Sequence, residues 1–193
     1  MSKIFLFLLS IAASLSAIDL DVQARGGYFY PMSGNPKRIF HGGGIYGGEV
    51  ATCVMNNLQA WASVNYFTRR GKSQHFQDEH YHTRLTFLPF AVGFKGIIPL
   101  ECWLDAYIGL GFQYARFHCH DESPHALEHV KKWGWGGLLK LGAIVHLNDD
   151  LFLDLFSDYS ALKFEFSKNN NLVDRRRCVL DGWIFGIGVG MHL

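Results

Sequence analysis

The strip GWIFGIGVGMHL, residues 182–193, constrains the fold more than any other stretch of the sequence. Trp183, Phe185, Ile187, Val189, Met191 and Leu193 take its odd positions. Gly182, Ile184, Gly186, Gly188, Gly190 and His192 take the even ones. A β-strand points successive side chains to opposite faces, so the first set makes one continuous apolar face and the second a nearly bare one. In a water-soluble sheet, an apolar edge of this kind invites aggregation. If the apolar face meets lipid instead, the hazard disappears, and the bare face fits a crowded interior.

The same period of two recurs in seven earlier segments. They are Leu20–Tyr30, Gly42–Met55, Leu58–Phe67, Arg84–Lys95, Cys102–Phe117, Trp133–Leu147 and Leu151–Ala161. In the fifth, Leu104, Ala106, Ile108, Leu110, Phe112 and Tyr114 oppose Trp103, Asp105, Tyr107, Gly109, Gly111 and Gln113. Two features resist the pattern. Pro89 lies inside the fourth segment although proline lacks a ladder donor, and Phe152 and Phe156 fall on the polar side of the seventh.

Eight strands in sequence imply an all-β fold, an antiparallel up-and-down barrel. Short turns are expected at Asn56–Asn57, Ile98–Leu100 and Asn148–Asp150, and longer loops at 31–40, 69–82, 118–132 and 163–177. Short turns at one end and long loops at the other are the layout of an outer-membrane barrel, as are strands of about 9–11 residues. Tyr28, Tyr30, Tyr66, Tyr114, Trp133, Trp135 and Tyr159 share the apolar parity near the loop ends, where an interfacial girdle belongs. Closure is required, because lipid cannot satisfy an open strand edge. A secreted lipocalin-like ligand carrier also has eight strands, but its apolar face lines a pocket and its polar face meets water. Here the apolar parity is free of charge through the middle of each segment. Arg84, Arg116 and Asp181 sit on it only near the ends.

Composition agrees. The chain is 49% hydrophobic and 18% charged, with a mean hydropathy of +0.05, yet no apolar run is long enough for a spanning helix. The formal net charge is +1 and no basic run is interleaved with aromatics, which argues against a nucleic-acid partner. The amino-terminal MSKIFLFLLSIAASLSA has a basic residue, an apolar run and then small residues, the layout of a secretory signal peptide. Residues 1–17 are thus expected to direct export and residues 18–193 to form the barrel.

On these features the chain resembles the small eight-stranded outer-membrane proteins of Gram-negative bacteria, the OmpA-transmembrane, OmpX and OmpW-like group. The resemblance rests on whole-chain architecture and on the terminal strand, which in that group alternates apolar residues before a final aromatic. Leu193 departs from that last feature. The resemblance implies an outer-membrane location, outer-membrane lipid and the barrel-assembly machinery as partners, no cofactor, and a structural or surface-interaction (adhesin-like) role through four outer loops. Two other roles occur among small barrels: a narrow pore for small solutes, and enzymatic modification of lipid A.

Candidate sites are few. His118, His120, His125 and His129 cluster in one expected loop, and His125 and His129 have the i, i+4 spacing that chelates a metal from a helical turn. HALEH lacks the Glu directly after the first His that a zinc protease requires. For lipid A chemistry the serines to consider are Ser123, Ser160 and Ser167, but no nucleophile motif marks them, so no catalytic residue is assigned. Cys119 and Cys178 both lie toward the outer end and form a candidate disulfide. Inside the barrel, a hairpin centred near Asp149 places Lys140 opposite Asp158 as an ion pair. A turn near Pro99 would likewise place Lys95 opposite Trp103, with Asp105 one diagonal step away.

Overall fold

The computed structural model describes residues 19–32, 42–74, 80–121, 129–165 and 177–193. The expected signal segment 1–17 lies outside them, as do His125, Ser123 and Ser167. Eight strands follow one another: β1 Leu20–Pro31, β2 Gly43–Met55, β3 Leu58–Gln74, β4 His80–Glu101, β5 Leu104–Asp121, β6 His129–His146, β7 Leu151–Glu165 and β8 Arg177–His192. Each pairs antiparallel with its neighbours, and β8 pairs with β1, closing the barrel. Reciprocal backbone bonds between Leu20 and Leu193, 3.3 and 2.9 Å, finish the seam.

Every segment keeps the side-chain parity expected from the sequence, except that Trp103 leaves the inward row of the fifth for the exposed turn before β5. Ile108, Leu110, Phe112, Leu155, Phe185, Ile187 and Val189 all point outward, exposed by half or more, while Arg25, Glu49, Lys95, Lys140, Asp154 and Asp158 are buried inside. This is the reverse of a lipocalin, and it excludes the ligand-carrier fold. An outer wall this apolar, around buried charges, is stable only with lipid outside.

The two residues that resist the alternation have specific explanations. Phe152 and Phe156 fill the interior opposite glycines: Phe152 pairs with Gly190, and Phe156 with Gly186 and Gly142. A Cβ on Gly190 would overlap the Phe152 ring, and one on Gly186 would meet Phe156 Cζ at 2.5 Å. The bare face of the last strand is thus the space that large rings from β7 occupy. Gly93 and Gly111 make the same room for Trp61, and Gly134 for Phe164.

The prolines follow from the direction of the backbone donors. Ile97 N donates to Asn57 O (2.8 Å), so odd-numbered residues of β4 aim their N–H at β3. Pro89 cannot, and the β3–β4 ladder is interrupted between Val64↔Phe90 and Phe67↔Phe87. Pro99 faces the same side but lies beyond the first residue of β3, whose ladder stops at Leu58↔Gly96. No bond is lost there, so β4 runs through Pro99 to Glu101 and turns at Cys102–Trp103.

That displaced turn corrects an expectation. Lys95 stands opposite Gly109, not Trp103, and Asp105 stands opposite Pro99, with a bulge between Pro99 and Glu101. The other two inner turns fall where the sequence places them. Asn57 adopts a left-handed conformation (φ 63°) in the first, as asparagine tolerates. In the third, Asn148 Oδ1 accepts from Asp150 N (3.0 Å) and Leu151 N (2.7 Å), and this side-chain turn fixes the register beyond it.

The second, third and fourth outer connections are shorter than expected because the strands are longer, whereas the first, between Pro31 and Gly43, is not. β3 and β4 remain paired to Gln74↔His80, and β5 and β6 to His120↔His129. At 18 residues each, β5 and β6 exceed the roughly 9–11 that cross a bilayer. They therefore continue as two-stranded hairpins beyond it.

Candidate functional site: the barrel interior and its two ends

Small barrels of this size are filled rather than hollow, and the filling has tiers. The outer tier is apolar: Phe29, Ile45, Phe67, Phe87, Leu162 and Phe164 are buried in one cluster. Phe29 meets Phe67 edge-on at 5.6 Å, and Phe117 and Phe87 flank Phe164 at 5.4 and 6.4 Å.

Below lies a charged tier of three cations and three carboxylates. Arg25 Nη1 reaches Glu49 Oε2 (3.0 Å) and Asp158 Oδ2 (3.1 Å), and its Nε lies 3.5 Å from Asp154 Oδ2. Lys95 Nζ donates to Glu49 Oε1 (3.2 Å), and Lys140 Nζ donates to Glu49 Oε2. Tyr107 Oη donates to Asp154 Oδ1 (2.8 Å). The formal charges cancel, which such deep burial demands. Aromatic faces take up what remains of the cations' surfaces: Arg25 lies 3.7 Å over Phe156 and Lys140 4.5 Å over Trp61.

Lys140 and Asp158 stand directly opposite in the β6–β7 register, and their charged atoms are 3.9 Å apart. Asp158 is nonetheless the more distant partner, since Glu49 from β2 reaches across the lumen and takes the lysine's hydrogen bond. Sequence reasoning missed Glu49 because hairpin arithmetic relates only adjacent strands. Its one signal was parity: Glu49, Arg25 and Lys95 are all mid-strand charges on the inward face.

The inner mouth carries two histidine–carboxylate pairs. His146 Nε2 lies 2.9 Å from Asp105 Oδ2 and His192 Nδ1 2.6 Å from Asp21 Oδ1, with the imidazoles stacked at 5.7 Å. Gln59 Nε2 donates to the other oxygen of Asp21 (2.9 Å).

The remaining candidates separate. His118 and His120 belong to β5 and His129 begins β6, so these three are strand residues and not a loop cluster. His129 is extended at the start of β6, and His125, its partner in the expected i, i+4 pair, lies outside the described residues. Among the described residues no three His, Cys, Asp or Glu side chains converge as metal ligands. Ser160 is buried in the lumen and accepts from Gln113 Nε2 (2.6 Å). Cys119 and Cys178 belong to β5 and β8, not to loops, and β6 and β7 separate those strands. Their side chains lie outside the described ones. Cys53 and Cys102 are free and exposed.

The outer wall has its own order. Tyr114 stacks on Trp133 at 5.0 Å and 9°, Phe112 on Trp135 at 6.5 Å, and Tyr159 and Trp183 meet at 5.2 Å. These rings form the outer aromatic girdle, above an apolar belt that includes Leu110 and Leu139. In β8, Phe185, Ile187, Val189 and Met191 are exposed on the lipid side, Leu193 is exposed just past the strand, and Trp183 is half-buried in the same row.

No protein-family model and no curated relative matches the sequence. Solved structures do. The outer-membrane protein OprG from Pseudomonas aeruginosa superposes with a TM-score of 0.60 at 13% identity, over 91% of this chain and 96% of that one. A major outer-membrane protein from Thermus thermophilus gives 0.56 at 12%, over 92% and 100%. Outer Membrane Protein W of E. coli gives 0.52 at 14%, over 91% and 98%. Identities this low speak to architecture alone, and the chain has the fold of the small eight-stranded outer-membrane barrels.

Proposed function

We propose that the protein is an integral outer-membrane barrel with a sealed lumen, serving as a scaffold that presents its outer hairpins to partners at the cell surface. The filled interior carries this reading. An apolar tier and a neutral charged tier occupy the same lumen one above the other, and a solute path would have to break both. Strand pairs that persist to Gln74↔His80 and His120↔His129 support the second half, since they carry the outer ends of β3–β6 past the bilayer. The sealed lumen weighs against a solute pore. Of the serines considered for lipid A chemistry, Ser160 faces the lumen and is held by Gln113; Ser123 and Ser167 lie outside the described residues.

Purified barrel in planar bilayers tests the reading. It should give no sustained ohmic steps, and replacing 122–128 with a short glycine turn should leave folding and heat-shifted gel mobility intact. Regular single-channel conductance would overturn the sealed lumen. Failure of the shortened hairpin to assemble would make that hairpin part of the fold and not a presented surface.

A further inference from the structure

We propose that the outer wall of β5–β7 binds the phosphorylated headgroup of a glycolipid of the lipid A class, through Arg116 and Lys163. The proposal rests on the reading of the chain as a membrane barrel and names a lipid for one part of its wall.

Height places the two cations. Arg116 is twelve residues beyond Leu104 on one outward-facing row of β5, and Lys163 twelve beyond Leu151 on β7. Twelve steps of about 3.3 Å on a strand tilted about 40° climb about 30 Å, against an apolar band about 25 Å tall. Both side chains therefore emerge at the outer headgroup level.

Their setting is a platform. Arg116 pairs with Trp133 across β5–β6, and its guanidinium lies 5.6 Å from that ring's centroid. Tyr114 stacks on the same indole. Lys163 pairs with Trp135, which neighbours Tyr114 on its other side. Both cations are exposed, and among the described residues neither has a carboxylate partner. Asp181, on the same face, accepts the Tyr159 hydroxyl (3.3 Å).

Two uncompensated cations in an apolar wall call for anions in the surrounding medium. With two strand spacings between them and one outward step along, their Cα atoms are about 12 Å apart. That span suits a headgroup with two separated phosphates better than one with a single phosphate. Charge-assisted bonds from Arg and Lys are the usual phosphate contacts. The exposed Leu110 and the Leu139 beside it continue downward as a track for the acyl chains.

The test titrates refolded full-length protein in nanodiscs with bisphosphorylated lipid A, phosphate-free lipid A and phosphatidylglycerol, with bound lipid read by native mass spectrometry. Wild type should favour bisphosphorylated lipid A over the phosphate-free form by about thirtyfold, at about fivefold per cation near the membrane surface. Arg116→Gln/Lys163→Gln should lose that preference, and Arg116→Lys/Lys163→Arg should keep most of it. Equal binding of the two lipid A forms, or an unchanged preference in the Gln variant, would overturn the proposal. Equal binding of phosphatidylglycerol would overturn the lipid A assignment. Gel mobility separates the two levels: a wild type that never inserts defeats the membrane reading itself, whereas an inserted barrel without phosphate preference defeats only this site.

Discussion

Single residues in this protein are intelligible mostly as pairs across the lumen. Lys140 is fully buried between Glu49, Asp158 and the face of Trp61. Lys140→Met should destabilise the folded barrel by about 3–5 kcal/mol, because two carboxylates lose a buried counter-charge. Urea unfolding in lipid vesicles measures it. Double-mutant cycles should find stronger coupling of Lys140 to Glu49 than to Asp158, since the first pair is hydrogen-bonded and the second is 3.9 Å apart. The reverse order would contradict the arrangement of the charged tier. Gly190 offers a steric counterpart, because the three atoms nearest a Cβ there all belong to the Phe152 ring. Gly190→Ala should cost about 1–3 kcal/mol by overpacking. Adding Phe152→Leu should recover most of that loss, and no recovery would mean the strain lies in the backbone.

At the scale of the strand, the decisive property is which face meets lipid. Ile187 is at mid-strand on the exposed row of β8 and pairs with Leu155 and Gly26. Ile187→Arg should cost about 2–4 kcal/mol and slow insertion, as a cation at mid-bilayer does on a barrel's outer face. Insertion kinetics into vesicles, followed by gel mobility, would show it. Wild-type kinetics would mean this row does not face lipid.

Strand parity was legible in the sequence because alternation is local and survives errors of several residues at the ends. The register of β6–β7 was legible because Asn148 builds a tight turn at a recognisable place. The register of β4–β5 was not. Ile-Pro-Leu has the composition of a turn, and only the end of β3, set by the tertiary arrangement, makes Pro99 harmless inside β4. The sequence places the histidines of β5 and β6 in a loop for a related reason. Polar residues at a strand end lose the alternation once the strand leaves the bilayer, although the backbone pairing continues to His120↔His129. The interior charges were visible one by one as inward-facing mid-strand residues. Their convergence on Glu49 was hidden, because it joins strands that are not neighbours.

For the whole molecule, the central claim is a closed barrel with lipid outside and packed side chains within. Two surfaces therefore alternate along every strand, and they should report different solvents. Site-directed nitroxide labels on folded protein in vesicles measure this directly. Labels at Leu110, Phe112 and Ile187 should be strongly relaxed by oxygen, which concentrates in the bilayer, and weakly by a water-soluble nickel chelate. Labels at Gln113 and Ile184, buried inside, should be shielded from both. High nickel accessibility at Leu110 and Ile187, equal to that of a label on the inner turn at Asp149, would contradict the claim.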